Sequence, residues 1–168
     1  MLISNQEVKD LVSGKGVLLP FASEPLVGCY VPDAMFHTVS KKWLLEAWKL
    51  WIRSLPEVLT YRNSRGNLRP KWTSESGDCD NLAGWFKSFC QMQNAAHEIQ
   101  TDQDRSGLAV MTVSLRSDAA EITGIVGAHR LCAYINHRKE VRLFEEQTGD
   151  IYEGKEHEWE SVRYFSLG

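Results

Sequence analysis

An α+β fold, with N-terminal helices packed on a later antiparallel β-sheet, follows from three observations on the sequence. Apolar residues recur at helical spacing from Ser40 to about Arg53 and again from about Asp80 to Glu98, they alternate with period two from Leu108 onward, and both strong helices precede that alternation. A length of 168 residues fits one domain in the usual range of roughly 100–200, so residues 1–168 are expected to form a single domain. The chain is 43% hydrophobic and 24% charged, which is ordinary globular usage and excludes collagen-like, low-complexity and disordered classes.

The elements are justified in chain order. Ser4 with Glu7 three residues later forms a capping box for a short helix to Val12, and Gly14 stops it. Residues 15–36 are punctuated by Gly and Pro, with Val17–Leu19 and Leu26–Val31 as short strands. Ser40 caps a strong helix to about Arg53, whose broad apolar face holds Trp43, Leu44, Ala47, Trp48, Leu50 and Trp51; Pro56 ends that region. Tyr61 to Gly77 is a basic, breaker-rich loop carrying Arg62, Arg65, Arg69 and Lys71, a solvated surface with the charge to meet an anionic partner.

A second strong helix runs from about Asp80 to Glu98, with Leu82, Trp85, Phe86, Phe89 and Met92 as a core stripe. Four strands follow: Leu108–Leu115, Ile122–Val126, Arg130–Ile135 and Val141–Phe144. His137–Arg138–Lys139 makes the tight turn of the last pair. Ile151–Tyr152 and Val162–Phe165 add further strands.

A net charge of −3 excludes a generally basic nucleic-acid binder, and nucleic acid is an unlikely partner. No apolar run approaches the ~20 residues of a membrane span. The N-terminal residues lack the apolar stretch of a signal peptide, so a reducing cytoplasmic setting is expected. Cys29, Cys79, Cys90 and Cys132 form no close pair of the kind that zinc sites use, and no cofactor is expected. Cys90 and Cys132 lie in apolar segments and read as packing residues, while Cys29 stays undecided.

Cys79 differs from them. It follows Asp78, which with Ser76 is a candidate N-cap, so the thiol sits at the positive end of a helix dipole and beside unpaired backbone N–H groups. It precedes Leu82 by three residues and Phe86 by seven, on the buried face of its helix. His129 opens a strand and alternates with Leu131, Ala133 and Ile135; Glu145 ends the partner strand in phase with Val141 and Leu143. The hairpin brings His129 and Glu145 together. A thiol, an imidazole and a carboxylate so placed are the parts of a nucleophile, a general base and an orienting group. Each part alone also has a structural reading, and Glu145 with Glu146 would equally suit an exposed acidic pair.

Asp78-Cys79-Asp80-Asn81-Leu82-Ala83, Ala128-His129 and Phe144-Glu145-Glu146-Gln147-Thr148-Gly149 resemble motifs of proteins related to the C-terminal domain of the fairy-ring mushroom agglutinin. These are papain-like, and small stand-alone members occur in bacteria and phages. The resemblance implies a calcium-dependent cysteine protease with Cys79 as nucleophile, His129 as base and Glu145 as orienter. Glu146 stands where the family has Pro, so the choice between Glu145 and Glu146 is open. Asp78 and Asp80 are oxygen donors suited to calcium, without identifiable companions. No lectin segment precedes the module, so sugar-directed targeting is not carried over.

The expected function is therefore a phage-type thiol hydrolase acting on a peptide or amide bond of a protein or peptide substrate. The oxyanion would lie at the Cys79 N–H and a side chain from residues 72–77. The alternative is a catalytically silent papain-like binding module, such as a phage protein that occupies a host factor. No oligomeric state follows from the sequence.

Overall fold

The computed structural model describes residues 1–15, 28–30, 34–73, 78–101, 106–115, 129–154, 159 and 162–166. In chain order these form β1 (Leu2–Ser4), α1 (Asn5–Ser13), β2 (Gly28–Tyr30), β3 (Met35–His37) and α2 (Lys41–Ser54). A 3-10 turn at Glu57–Leu59 leads into β4 (Thr60–Arg62) and β5 (Leu68–Pro70), followed by α3 (Cys79–Thr101). Then come β6 (Gly107–Leu108), β7 (Val110–Leu115), β8 (His129–Ile135), β9 (Val141–Glu145), β10 (Asp150–Tyr152) and β11 (Val162–Ser166). The fold is α+β.

The helix starts follow their caps. Ser4 Oγ accepts from the Glu7 N–H at 3.2 Å, and the Glu7 carboxylate accepts from the Ser4 N–H at 2.8 Å, so two orphan donors of α1 are satisfied at once. Ser40 Oγ accepts from the Trp43 N–H at 3.1 Å and starts α2.

The main sheet has six strands in the order β10-β9-β8-β7-β11-β2. It is not wholly antiparallel, as the sequence suggested: β2 joins β11 in parallel, and in a second sheet β3 joins β6 in parallel. The reason is chain order. These early strands precede α2 and α3 and pair with strands that follow them, and a long helical crossover permits parallel pairing.

The expected loop after Tyr61 is instead a two-stranded hairpin, with Thr60 opposite Pro70 and Arg62 opposite Leu68. The expected strands Val17–Leu19 and Ile122–Val126 lie outside the described residues.

Both faces of the main sheet are covered. Leu131, Ala133 and Ile135 of β8 pack with Val8 and Val12 of α1, whereas Cys132 and Tyr134 pack with α2 and α3. On the α2–α3 side Trp51 and Phe86 rings lie 5.3 Å apart and Phe86 and Phe144 5.1 Å apart. Burying each such ring contributes about 2 kcal/mol.

The core stripe of α3 is narrower than its spacing suggested. Leu82, Ala83, Phe86 and Cys90 are buried, but Trp85 and Met92 are exposed, as is Leu50 on α2. No described helix is long and apolar enough to cross a membrane.

Candidate functional site

The first turn of α3 is built by Asp78. Its Oδ1 accepts from the Asn81 N–H at 3.2 Å and its carbonyl accepts from the Leu82 N–H at 3.0 Å, which makes Asp78 the cap and Cys79 the first helical residue. Cys79 is partly exposed. Asp80 lies 3.4 Å from Arg130 Nε, and Arg130 also donates to Ser114 Oγ at 2.7 Å. These contacts hold the start of α3 against the ends of β7 and β8.

His129 and Glu145 meet at that same end of the sheet. The register pairs Cys132 with Phe144, which sets His129 diagonally across the ladder from Glu145, within reach of long side chains. His129 Nε2 and Glu145 Oε2 are 2.7 Å apart, with both side chains almost wholly buried. The other carboxylate oxygen, Oε1, accepts from the Gln147 N–H at 3.2 Å, so Glu145 is fixed from two sides.

The tight turn after β9 is itself pinned. The Gly149 N–H donates to the Glu145 carbonyl at 2.7 Å. Gly149 has φ +79°, and a Cβ there would stand 2.7 Å from the Trp48 ring, so both backbone and space demand glycine. Trp48 Nε1 donates to the Glu146 carbonyl at 2.7 Å. A residue of α2 thereby positions the carboxylates of the sheet.

Burial by itself pulls the His129 imidazole down. Hydrogen bonds to Cys79 and Glu145, with the neighbouring carboxyl charges, outweigh it and push the pKa up to about 10. The ring is therefore an imidazolium at neutral pH, donating through one nitrogen to Glu145 and facing the Cys79 thiol with the other.

Glu146 is not part of an exposed acidic pair. It is fully buried, and neither carboxyl oxygen makes a hydrogen bond of normal geometry. Burial first, and then the adjacent Glu145 charge, raise it well above the usual carboxylate range.

The structure thus brings together Cys79, His129 and Glu145, and Glu145 rather than Glu146 holds the imidazole. Cys90 and Cys132 are buried, as packing residues would be, and burial raises both thiols. His137 Nδ1 bonds Thr38 Oγ1 at 2.6 Å, away from this cluster, and His97 is exposed. His157 and Ser76 lie outside the described residues. Sequence reasoning missed Trp48 as a site-positioning residue, because its partner Glu146 lies 98 positions away in the chain.

The two carboxylates that the family resemblance offered to calcium have other contacts in the fold. Asp78 is used by its own helix and Asp80 by Arg130, and no cluster of three acidic, His or Cys ligands forms among the described residues.

No protein-family model and no curated protein matches the chain. Solved structures do. A complex of PSL1a, the lectin of Polyporus squamosus, with E-64 superposes with a TM-score of 0.65 at 15% identity, covering 98% of this chain and 51% of that one. A Polyporus squamosus lectin bound to a human-type influenza-binding epitope containing Neu5Ac superposes with the same TM-score at 16% identity, covering 98% and 49%. This chain thus spans about half the length of either, and the likeness is one of fold.

It corrects the expected function. The structures that share the fold are described as a lectin, a binding protein, and neither is described as a hydrolase or protease; nothing in them bears on phage origin or on a peptide substrate. The binding-module alternative is the reading these findings favour.

Proposed function

We propose that this chain is a binding module whose ligand seats at the Cys79–His129–Glu145 cluster, and that the ligand is hydroxyl-rich, of the glycan class. The observation that carries the site is the buried imidazolium–carboxylate pair ending at a partly exposed thiol. Burying two charges costs several kcal/mol per ion before their attraction is counted, and such perturbed groups gather at functional sites. The glycan class rests on the epitope with which a structural neighbour is described.

The helix-opening Cys79 with His129 and Glu145 on the sheet is, in this reading, a papain-like arrangement used for recognition. Cys79 and the His129 N–H contact the ligand, and Glu145 keeps the imidazolium in place. The start of α3, with Asp80 beside Arg130, offers an additional polar rim.

E-64, the compound in the other neighbour complex, is an epoxide opened by thiolates, which makes it a probe of a reachable Cys79 activated beside His129. Intact-mass spectrometry of the whole chain is expected to show one adduct on Cys79 and none in Cys79→Ser. His129→Ala is expected to slow labelling at least tenfold. Labelling that falls on Cys90 or Cys132, or that ignores His129→Ala, would place the ligand elsewhere.

A further inference from the structure

A groove opens between α2 and the β4–β5 hairpin, with Trp48 in its lining. Its volume is about 580 Å³, within the ordinary range for small-ligand sites, roughly 300–1,000 Å³. Its lining joins Trp48, Lys49, Ile52 and Arg53 of α2, with Lys49 and Arg53 one turn apart, to Arg62 and Arg69 of the hairpin.

In a chain of net charge −3 this is a concentration of positive charge around a concavity. The acids near it are few. Glu46 bonds Lys49 at 2.8 Å, and Glu57 borders the adjoining hollow beside Arg53 and Arg62. Arg53, Arg62 and Arg69 make no ion pair with any described carboxylate.

The cations are also held in place. The Arg69 guanidinium lies 5.0 Å from the centroid of the Trp48 ring and donates to the Leu68 carbonyl at 3.0 Å. Arg62 Nη1 donates to the Gly66 carbonyl at 2.9 Å. Asn63 Oδ1 accepts from the Arg65 and Asn67 N–H groups, both at 3.0 Å, across a turn whose Gly66 has φ +76°. Their remaining guanidinium N–H groups keep the fork geometry that suits carboxylate and phosphate oxygens.

We propose that this groove is a second binding site, for a small anionic ligand whose carboxylate or phosphate is gripped by Arg53, Arg62 and Arg69 over the Trp48 ring. It stands apart from the thiol cluster and does not depend on how that cluster is used.

The test is a titration of the isotope-labelled full chain with glucose 6-phosphate, glucuronate and glucose, followed by NMR shifts of the groove residues. Either anion is expected to shift them in low salt, glucose is not, and 1 M NaCl should suppress the effect because solvent-exposed charges are screened within about 3 Å at that ionic strength. A response to only one anion identifies which group is recognised. Arg53→Glu with Arg62→Glu is expected to weaken binding at least tenfold while thermal unfolding and Cys79 labelling stay unchanged. No shift with either anion, or binding untouched by the double reversal, overturns the proposal.

Discussion

His129 and Arg62 are both cations, set in opposite surroundings. His129 lies at the buried end of the main sheet, with its charge tied to Glu145 at 2.7 Å and surrounded by apolar packing. Arg62 lies on an exposed hairpin and donates to the Gly66 carbonyl. The first charge must be matched inside the fold, because an unmatched buried charge costs far more than folding can spare. The second rests in water at little cost and stays available. A buried charge is therefore a structural commitment with a functional side, whereas an exposed one becomes consequential only when a ligand arrives.

The contrast is sharpest at Glu145. Glu145→Ala leaves the imidazolium buried and alone, and is expected to destabilise the chain by about 3–5 kcal/mol, the usual cost of breaking a buried pair. Urea denaturation measures it. A loss below about 1 kcal/mol would mean that His129 is not charged in the folded chain.

Gly149→Ala comes next. It forces a side chain into the left-handed region and against the Trp48 ring, the one residue shared by the sheet end and the groove. About 3 kcal/mol of stability should be lost, combining backbone strain and overpacking, with both regions disturbed together. A variant that unfolds at the wild-type midpoint would show that Trp48 does not bind the two regions as described.

The pH dependence separates the regions without large structural change. The His129 pKa is raised from 6.5 to about 10 on folding, so the folded chain holds that proton more tightly than the unfolded one. Its stabilisation is complete below about pH 6.5 and is lost as pH rises through about 10. Glu146, also raised, adds loss of the same sign above the usual carboxylate range. The urea midpoint should fall steadily from pH 6.5 to 10, and His129→Gln should flatten that decline.

The smallest effect belongs to the groove. Arg53→Glu alone should alter stability by no more than about 0.5 kcal/mol, as surface changes away from packed features generally do. A larger loss would mean that Arg53 supports the fold rather than awaiting a ligand.

Much of this was legible in sequence for definite physical reasons. Ser4, Ser40 and Asp78 announce helix starts because the acceptor must sit next to the orphan N–H groups it satisfies. The hairpin around residues 136–140 and the phases of His129 and Glu145 follow from the two-residue period of a strand. The pairing of His129 with Glu145 was therefore readable, but the face was not: Leu131, Ala133 and Ile135, in phase with His129, pack on α1, whereas Cys79 opens α3 on the other side of the sheet.

Other features were not, because they depend on partners distant in sequence. The parallel pairing of β2 with β11 joins residues more than a hundred apart, and no local pattern encodes it. Trp85 and Met92 carry the helical spacing of a core but find nothing to cover them. Glu146 gave no sign of burial, since its carbonyl is held by Trp48 from the other end of the chain. What the site is for was least legible, because the same trio suits capture or chemistry.

The most direct test is protection of the Cys79 thiol. Its alkylation rate by E-64 would be followed by intact mass with and without a Neu5Ac-containing oligosaccharide of the kind described for the structural neighbour. A ligand seated at Cys79, His129 and Glu145 should slow the reaction in proportion to its occupancy, while leaving Cys90 and Cys132 unmodified throughout. An unchanged rate at saturating oligosaccharide, repeated across a panel of neutral and acidic glycans, would contradict the proposed glycan site.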